Sequence, residues 1–368
     1  MPDAPDTAHH PDPRTLGARI VRQCVDGGFA AAGVATLEPS AWAGELDAWL
    51  DAGKHGSMDW LAKNREVRAR PGELLEGARS AVMVADLYAV RAQNADEPLN
   101  PSEGRVARYA RGGDYHEIIK RRLHDLCDAL RAHHPGALFK SFVDTAPVLE
   151  RELAARAGIG WTGKHTLTIH PRIGSYLVLG GFVTTLELSP PAGQERVSDH
   201  CGTCTRCIEA CPTDAITPYS VDATRCISYL TIERRGAIDP GFFEGIGGWI
   251  FGCDVCQEVC PHNSRRERAD LPVGGRDPGP AYASDRDRFD LLEVLGWTPE
   301  DRSRALSKSA MKRATLAMWK RNALIAAGNA LRGHDLGALR ARIESIAADE
   351  AEDAMVRDTA RRVLAQRA

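Results

Sequence analysis

Residues 201–212 read CGTCTRCIEACP, with cysteines at Cys201, Cys204, Cys207 and Cys211 and a proline directly after the last one. Three thiolates at this spacing hold one [4Fe–4S] cluster, and the fourth cysteine of such a run reaches a second cluster. The run therefore predicts that one small part of the chain binds two clusters.

The remaining cluster ligands are expected from a second set of cysteines, which is interrupted. Cys226 stands alone, and a run ending in Cys260-Pro261 follows after an insertion of about 26 residues. A bacterial ferredoxin has a compact second run, so this is a ferredoxin-like domain with an inserted segment. The pseudo-symmetry of such domains predicts two ligand sets: Cys201, Cys204, Cys207 and Cys260 for one cluster, and Cys211, Cys226, Cys253 and Cys256 for the other.

Two structural zinc sites are the alternative interpretation of these eight cysteines. Zinc sites usually pair two CxxC units and rarely use a CxxCxxCxxxCP run, so the spacing favours iron–sulfur clusters. Cys24 and Cys127 lie on the apolar faces of predicted helices, where buried core cysteines are expected.

Composition and charge place the chain among ordinary globular proteins. Its 368 residues allow two or three domains, and 43% of them are hydrophobic and 26% charged. The net charge of −3 does not favour nucleic acid over the whole molecule, so such a partner would need a local basic patch. No apolar run reaches the roughly 18 residues of a membrane helix, and residues 1–14 carry no export signal. Ten cysteines in such a chain predict a reducing compartment, the cytoplasm.

The pattern of the chain predicts five regions. Residues 1–13, rich in proline and aspartate, are expected to be a disordered tail, and alternating helices and strands over 14–190 predict an α/β domain. The ferredoxin-like domain spans 191–264, and a linker rich in Arg, Asp, Gly and Pro spans 265–289. Residues 290–368 are helical by pattern and suggest a HEAT-like module of paired helices. Six apolar residues are predicted to face inward there: Leu324, Ala327, Leu331, Leu339, Ile343 and Ile346.

Individual elements of the α/β domain follow from hydrophobic periodicity and turn residues. The predicted helices start near Leu16, near Ser40 and at Pro147, and one spans Tyr115–His133. The predicted strands are Phe29–Leu37, Ala81–Tyr88, Leu138–Val143, Thr166–Ile169 and Ser175–Thr185, the last two joined by a turn at Pro171–Gly174.

The glycine-rich sequence Gly158-x-Gly160-x-x-Gly163-Lys164 fits the dinucleotide fingerprint and nearly fits a P-loop, except for His165. Both phosphate-binding motifs need a strand before the glycines and a helix after them, whereas here a helix precedes and a strand follows. A helix-to-strand loop is therefore favoured over a nucleotide site.

Several segments of the chain together resemble epoxyqueuosine reductases. They are YARGGDYH at 109–116, VDTAPVLER at 143–151, AGIGWTGK at 157–164, the two cysteine runs, and RNALIAAGN at 321–329. The resemblance extends from about residue 15 to the end of the chain. The family usually has Gly-Lys-Asn where this chain has Gly163-Lys164-His165, so no role is assigned to His165.

The resemblance implies a cobalamin-dependent iron–sulfur enzyme that reduces epoxyqueuosine to queuosine at the wobble position of tRNA. It also implies an α/β domain similar to that of reductive dehalogenases, which holds the corrinoid near the second cluster. Cobalamin in its cob(I) state would supply the nucleophile, and the clusters would supply electrons one at a time. The expected partners are a tRNA containing epoxyqueuosine and a low-potential electron donor, and the chain is expected to be a monomer.

Asp144 is the predicted proton donor and a predicted cofactor contact. It lies at the C-terminal end of an apolar strand, where ligand sites of α/β folds collect. Burial or a neighbouring anion would have to raise the pKa of Asp144 for it to act as an acid near neutral pH. A helix-capping aspartate ahead of Pro147 is the alternative, and the resemblance favours the donor role.

Four more residues are predicted to contact the corrinoid. The resemblance suggests Arg68 and Tyr109, while Ser228 and Asp254 adjoin cysteines of the second ligand set. A surface or structural role remains the alternative for each of the four.

A basic stretch in the helical region predicts an RNA-binding surface. Between Arg302 and Arg342 ten basic residues stand against one acid, Asp335, a net charge of about +9. Such a patch neutralises several phosphates and makes binding sensitive to salt. Four residues are predicted to contact tRNA: Lys312, Arg313, Lys320 and Arg321. The alternative is a solvated helical face.

Two other functions share parts of this pattern. A corrinoid iron–sulfur reductase of a small molecule, similar to a dehalogenase, would need the same cofactors but no basic helical region. A ferredoxin-type electron-transfer subunit would not be an enzyme. It would bind no corrinoid and would need no α/β domain carrying an acid at a strand end.

Overall fold

A computed structural model describes residues 12–90, 100–264, 271, 273–283 and 286–366. Residues 1–11 of the predicted tail lie outside this range. The first helix begins at Pro13, and the carboxylate of Asp12 caps it by accepting a hydrogen bond from the Thr15 N–H. The first described helix therefore starts at the end of the predicted tail.

The helices and strands are numbered in chain order. The helices are α1 (Pro13–Asp26), α2 (Ala43–Asp51), α3 (Arg65–Ala69), α4 (Arg108–Arg111), α5 (Tyr115–His133), α6 (Glu150–Arg156), α7 (Arg206–Glu209), α8 (Ile227–Ile232), α9 (Phe243–Ile246), α10 (Val255–Glu258), α11 (Val273–Arg276), α12 (Leu291–Gly296), α13 (Pro299–Ala305), α14 (Leu316–Ala330), α15 (Gly337–Ala348) and α16 (Ala354–Ala365). The strands are β1 (Ala31–Ala35), β2 (Ser80–Leu87), β3 (Glu103–Val106), β4 (Phe139–Phe142), β5 (Trp161–Thr162), β6 (Thr168–Ile169), β7 (Leu177–Thr184), β8 (Ile216–Thr217), β9 (Ser220–Val221), β10 (Trp249–Phe251) and β11 (Arg288–Asp290).

A four-stranded sheet forms the first core, in the order β1-β2-β7-β4, with each neighbouring pair antiparallel. Every residue of the central strand β2 is buried, because helices cover both faces of the sheet. Successive side chains of a strand point to opposite faces. Val82 and Val84 accordingly pack with α1 and α5, whereas Met83 packs with α6. The predicted α/β class is confirmed for this region.

Most predicted elements of this region are present. The helix Tyr115–His133 has the predicted bounds, and the main strands differ from the prediction by one to two residues at each end. The helix expected from Pro147 begins three residues later, at Glu150.

The predicted turn at Pro171–Gly174 is present and is closed by a bridge between His170 and Gly174, but the strand before it is shorter than predicted. The strand found there, β6, pairs with β5 rather than with the strand after the Pro171–Gly174 turn. Gly160 permits this pairing, since a Cβ there would lie 2.2 Å from the carbonyl oxygen of Ile169. The backbone N–H of Ser175, on the other side, donates instead to Asn263 Oδ1 at 2.7 Å.

A second core joins the inserted segment to the C-terminal helices. Strand β3 pairs with β10 and with β11, and α14 packs against this small sheet. Trp319 of α14 stacks on Phe251 of β10 with ring centroids 5.5 Å apart. Because the insertion is apolar and the helices cover it, the predicted boundary between 191–264 and 290–368 does not separate two cores.

The helical region is built around α14, of which most residues are buried. The six residues predicted to face inward are all buried, as expected. Helices α14 and α15 both pack on α16. The HEAT-like assignment of these helices stays a prediction.

The predicted linker, residues 265–289, is folded where the structure describes it. Tyr282 is buried, and its hydroxyl donates to Asp86 Oδ2 at 2.7 Å. Strand β11 extends the sheet of the second core. Where it is described, the segment predicted to be a linker therefore contacts both cores. None of the described helices has the length and apolar character needed to cross a membrane.

Candidate active site and cluster centre

The two cysteine runs fold alike. Each run carries a one-turn helix, α7 in the first and α10 in the second, and the two helices pack together. Each run ends in a proline, Pro212 or Pro261, that follows its last cysteine. All ten cysteines are free thiols.

One group of thiols forms around Cys207. Burial raises the pKa of the Cys207 thiol, and the nearby thiols of Cys260, Cys201 and Cys204 raise it further. Burial likewise raises the pKa of Cys260, with Cys201 and Cys204 adding to the effect. These four cysteines are therefore neighbours, although Cys260 comes from the second run.

The other group forms around Cys256. Burial raises the pKa of the Cys253 thiol, and Cys226 and Cys211 contribute to the rise. Burial also raises the pKa of Cys256, assisted mainly by Cys253 and Cys226 and least by Cys207 of the first group. The influence of Cys207 on Cys256 indicates that the two groups adjoin.

The grouping of thiols fits iron–sulfur clusters. Within the described parts of the chain, no three Cys, His, Asp or Glu side chains converge on a site for a single metal ion. A cubane cluster takes each of its four thiolates on a different iron atom, which spreads the sulfur atoms apart. Cluster iron would also bind these cysteines as deprotonated thiolates.

Asp144 lies in the turn after β4, in the left-handed backbone region at φ 52°. Its backbone N–H donates to Glu150 Oε1 at 2.6 Å. Its Oδ2 accepts a hydrogen bond from Tyr115 Oη at 2.8 Å and lies 3.0 Å from His116 Nε2. The side chain remains 56% exposed. Since α6 begins at Glu150 with Leu149 as its cap position, Asp144 is not the capping residue of this helix.

The pKa values of the Asp144 and Glu150 carboxyl groups are shifted in opposite directions from their ordinary values. Partial desolvation by the surrounding residues acts to raise the pKa of Asp144, but hydrogen bonds from His116 and Tyr115 lower it below its usual value. The raised pKa that Asp144 would need to act by itself as an acid near neutral pH is therefore not found. Burial raises the pKa of Glu150 to about 8, and the neighbouring charge of Asp144 adds to the rise.

His116 connects Asp144 to a second carboxylate. Its Nδ1 lies 2.8 Å from Asp114 Oδ1, and Asp114 is also the N-cap residue of α5. Burial acts to lower the pKa of His116, but the two carboxylates outweigh it and raise the pKa to about 9. The imidazole is thus a cation at neutral pH.

Two arginines face the same carboxylates. Arg68 is buried, and its Nε has no hydrogen-bond partner among the described residues. Burial lowers the pKa of Arg68, while Glu150 and Asp144 act to raise it. Burial lowers the pKa of Arg151 as well, while Glu150, Asp144 and the thiol of Cys256 act to raise it. Arg151 therefore lies within electrostatic range of both the Asp144 site and the second thiol group.

Tyr109 packs against Tyr115 of the Asp144 site and against Phe251, which lies two positions before Cys253 in the sequence. Its ring packs edge-on against Tyr115 at 6.0 Å and contacts Phe251 at 6.3 Å. Burial raises the pKa of its hydroxyl, and Asp144 contributes the largest share of the charge effect.

Ser228 and Asp254 adjoin the second thiol group in different ways. The backbone N–H of Ser228 donates to the sulfur of Cys226, which lowers the pKa of that thiol against the effect of burial. Asp254 is 1% exposed, and its Oδ2 accepts hydrogen bonds from the backbone N–H and the Nη1 of Arg108 at 2.8 and 3.1 Å. Its Oδ1 is buried with no partner among the described residues. Asp254 thus anchors α4 to α10 through one oxygen.

Comparison with known proteins gives the same assignment over most of the chain. The family profile described as epoxyqueuosine reductase QueG, DUF1730, matches residues 68–145, and one described as a 4Fe-4S double cluster binding domain matches residues 200–263. An epoxyqueuosine reductase of Burkholderia pseudomallei is 39% identical over 93% of this chain and 90% of its own length. That of Escherichia coli is 39% identical over 87% of this chain and 82% of its own.

This chain belongs to the epoxyqueuosine reductase family. Its fold agrees, since a solved epoxyqueuosine reductase with an epoxyqueuosine-modified tRNA-Tyr stem loop matches with a TM-score of 0.80 and 26% identity. That match covers 95% of this chain and 89% of the solved one. The predicted enzyme class, an oxidoreductase, and the predicted domain for two [4Fe–4S] clusters are confirmed by these matches.

Sequence reasoning missed four side chains of the site in this family member: Tyr115, His116, Glu150 and Arg151. They lie within 109–116 and 143–151, two of the segments that carried the resemblance. Their place in these segments could therefore have marked them as site residues. Their hydrogen bonds could not be predicted, because Tyr115 and His116 lie 29 and 28 positions from Asp144 in the sequence and no local pattern joins them.

In this chain the glycine-rich loop at residues 158–164 is hydrogen-bonded to the first cysteine run. Lys164 Nζ donates to the carbonyl oxygens of Gly202 and Cys204 at 2.7 and 3.1 Å. His165 is buried, its Nδ1 accepts a hydrogen bond from the Leu167 N–H, and burial lowers its pKa to about 4. The loop thus supports the first thiol group.

Two of the four predicted tRNA contacts are not available on the surface. Arg321 is fully buried, and its guanidinium donates to the carbonyl oxygens of Leu230, Arg234 and Gly236. Lys320 is 9% exposed, and its Nζ lies 2.7 Å from Glu352 Oε2. The prediction is wrong for these two residues because their charges serve the second core.

Lys312 and Arg313 are exposed and lie near the Asp144 site. Lys312 is among the groups that lower the pKa of Asp114, after the hydrogen bond from His116. Arg313 pairs with Glu233 at 2.8 Å, and its guanidinium lies 5.0 Å above the ring of Trp60, which is 41% exposed. Of the four residues predicted to contact tRNA, Lys312 and Arg313 are thus on the surface, beside the Asp144 site.

Proposed function

We propose that this chain reduces epoxyqueuosine to queuosine at the wobble position of tRNA, with two [4Fe–4S] clusters and cobalamin as cofactors and Asp144 as the proton donor. The observation that supports this proposal most is the position of Asp144. Its exposed carboxylate lies in one site with Arg151. Cys256 of the second thiol group also acts to raise the pKa of Arg151, so Arg151 is close to both. A proton donor and an electron source are therefore near each other.

The proposed ligand sets follow the two thiol groups. Cys201, Cys204, Cys207 and Cys260 would hold the first cluster, and Cys211, Cys226, Cys253 and Cys256 the second. Residues next to the first set, Gly202, Thr203 and Thr205, are exposed, whereas Cys256 of the second set is close to the Asp144 site. Electrons would therefore enter at the first cluster and leave from the second.

The residues around the second thiol group fit a corrinoid with polar side chains. Arg68 offers a buried Nε with no partner among the described residues, and Tyr109 offers an aromatic ring packed against Tyr115 of the Asp144 site. Ser228 adjoins Cys226, and Asp254 contributes through its Oδ1 alone, since Arg108 occupies the other oxygen. Bound cobalamin in the cob(I) state supplies a nucleophile directed at carbon.

Asp144 is the side chain that we assign to the substrate oxygen. Its Oδ2 is hydrogen-bonded to Tyr115 and His116, and more than half of its side chain is exposed to an incoming nucleoside. In a solved epoxyqueuosine reductase of Bacillus subtilis, 26% identical with a TM-score of 0.79, a catalytic loop named for an aspartate is swung out of the active site. We place Asp144 in that role here.

The proposed RNA contact uses Lys312 and Arg313 and leaves out Lys320 and Arg321. The two exposed cations flank the Asp144 site, so phosphates bound there would bring the wobble nucleoside near the acid. Trp60 adds an exposed ring beside them, and unpaired RNA bases stack on such rings.

We expect a cytoplasmic monomer that receives electrons from a low-potential donor. The exposed residues next to the first thiol group would allow such a donor to approach it.

The test uses anaerobic protein with reconstituted clusters, cobalamin, a low-potential reductant and tRNA that contains epoxyqueuosine. Nucleosides from digested tRNA are analysed by mass spectrometry, and a sample without cobalamin is the control. Loss of one oxygen that depends on cobalamin supports the proposal. Bound cobalamin without conversion would instead favour a reductase of a small molecule, and failure to bind cobalamin would favour an electron-transfer subunit.

A further inference from the structure

Three side chains form a continuous hydrogen-bonded row at the start of α5. Asp114 Oδ1 lies 2.8 Å from His116 Nδ1, and His116 Nε2 lies 3.0 Å from Asp144 Oδ2. The ring of Tyr115 stacks on the imidazole with centroids 4.0 Å apart, and its hydroxyl donates to the same Oδ2. Both nitrogens of His116 are thus held by carboxylates.

A backbone hydrogen bond to Lys308, in the C-terminal part of the chain, holds Asp114 and hence this row in place. The backbone N–H of Asp114 donates to the carbonyl oxygen of Lys308 at 2.8 Å. Asp114 also accepts the backbone N–H of His116, so the imidazole and its supporting carboxylate belong to one helix start. The imidazole is 31% exposed, which leaves it in contact with solvent.

We propose that His116 is a positioning residue that orients Asp144 and returns a proton to it in each turnover. This inference rests on the proposed role of Asp144 as donor. Because the pKa of Asp144 is lowered, Asp144 acts as an acid more readily when a neighbouring group supplies its proton. The imidazole of His116 lies 3.0 Å from Asp144 Oδ2 and is 31% exposed to solvent.

The Nε2–H bond of His116 breaks as its proton moves to Asp144 Oδ2, and the Asp144 carboxyl group then gives up its proton to the epoxide oxygen. The neutral imidazole then takes a proton from water. Two such transfers, with two electrons from the clusters, convert the epoxide oxygen into water and leave a carbon–carbon double bond.

The charged groups around His116 explain why it stays protonated. Asp114 and Asp144 contact it directly, and together they outweigh burial and raise its pKa to about 9. Further titratable or charged groups act on this row from the neighbouring elements: Tyr115, Glu150, Arg151, Arg68, Lys312 and Arg313. The same row lowers the pKa of Asp144, so the stored proton rests on the imidazole.

The first experiment measures the imidazole itself. Protein with intact clusters, labelled with ¹³C at histidine Cε1, is titrated by NMR, and the signal of His116 is identified by its loss in His116→Asn. We expect a midpoint near 9 that falls by one unit or more in Asp144→Asn and in Asp114→Asn. A midpoint near the ordinary value of about 6.5 would overturn the proposal.

The second experiment measures turnover against pH. His116→Asn is expected to lower kcat about 100-fold with little change in KM for tRNA, and to remove the fall in kcat that the wild type shows as pH rises through about 9. His124→Asn, an exposed histidine on the same helix, is the control and should behave as wild type.

The two experiments separate this inference from the proposed function. If His116→Asn keeps both kcat and the fall near pH 9, the relay is wrong while the activity stands. If the wild type converts no epoxyqueuosine although His116 titrates near 9, the proposed function fails, and with it the use of His116 in that reaction.

Discussion

The backbone N–H of Asp144 donates to Glu150 Oε1 at 2.6 Å, and the two carboxyl groups have pKa values displaced in opposite directions. Glu150 is desolvated and has Asp144 as a neighbour, while Asp144 receives hydrogen bonds from Tyr115 and His116. Their different partners therefore keep Asp144 ionised and Glu150 protonated at neutral pH.

Replacement of Glu150 with Gln tests this separation through stability. The folded state raises the pKa of Glu150 from its ordinary value of 4.5 to about 8, so folding favours the protonated form. The wild type therefore loses stability as pH rises from about 4.5 to about 8, by up to about 1.4 kcal/mol per pH unit. Glu150→Gln should lack this loss, and its Tm should exceed that of wild type increasingly from pH 6 to pH 8. Parallel Tm curves would contradict the raised pKa.

Replacement of Asp144 with Asn tests the donor role. The amide keeps a hydrogen-bond acceptor for Tyr115 but carries no acidic proton, so turnover should fall at least about 100-fold. Iron content, the cobalamin absorbance spectrum and tRNA affinity should match wild type, because Asp144 ligates no cluster in the proposed sets. Turnover near the wild-type level would show that another group supplies the proton.

The sequence was most informative where covalent spacing or periodicity decides structure. Thiolate ligands occur at set spacings, so the cysteine runs predicted the thiol groups, including the crossing of Cys260. The helix Tyr115–His133 was predictable because Ile119, Leu123 and Leu130 recur on one face, and all three are buried.

The sequence was least informative about which polar groups meet across the chain. Arg321 reads as part of a basic patch, but it binds the carbonyl oxygen of Leu230, which is 91 positions away. Charge counts do not distinguish a buried donor from a surface cation. His116 and Glu150 likewise acquire their roles only when α5 and α6 bring them to Asp144.

The crossing of cysteines between the clusters has a direct test. Cys260→Ser should remove the first cluster although Cys260 lies in the second run, and Cys211→Ser should remove the second although Cys211 lies in the first run. Each variant should keep about half of the iron, and EPR of the reduced proteins should show different remaining signals. If Cys260→Ser loses the same signal as Cys256→Ser, each run serves its own cluster instead.

The buried guanidinium of Arg321 predicts a large effect on stability. Arg321→Met would leave the carbonyl oxygens of Leu230, Arg234 and Gly236 without their donor, at a cost on the order of 3 kcal/mol. Thermal unfolding should show a clearly lower Tm. Arg340→Ala is the control, since Arg340 is an exposed arginine of the same basic stretch, and its Tm should match wild type.

The RNA surface is tested by removing the two exposed cations near Asp144. Each phosphate contact contributes about 0.7 to 0.9 to the slope of log affinity against log salt concentration. The double variant Lys312→Ala, Arg313→Ala should therefore bind an anticodon stem loop more weakly, with a slope flatter by up to about 1.8. Fluorescence anisotropy over a range of salt concentrations measures both quantities.

The matched control for this surface is Arg14→Ala, which removes one exposed charge from α1. It should leave the slope unchanged, because only charges that contact phosphate release counterions. Arg313 already pairs with Glu233, so the single variant Lys312→Ala should flatten the slope more than Arg313→Ala. An unchanged slope in the double variant would mean that the tRNA binds elsewhere. Lys312 and Arg313 would then serve to keep Asp114 and Asp144 ionised.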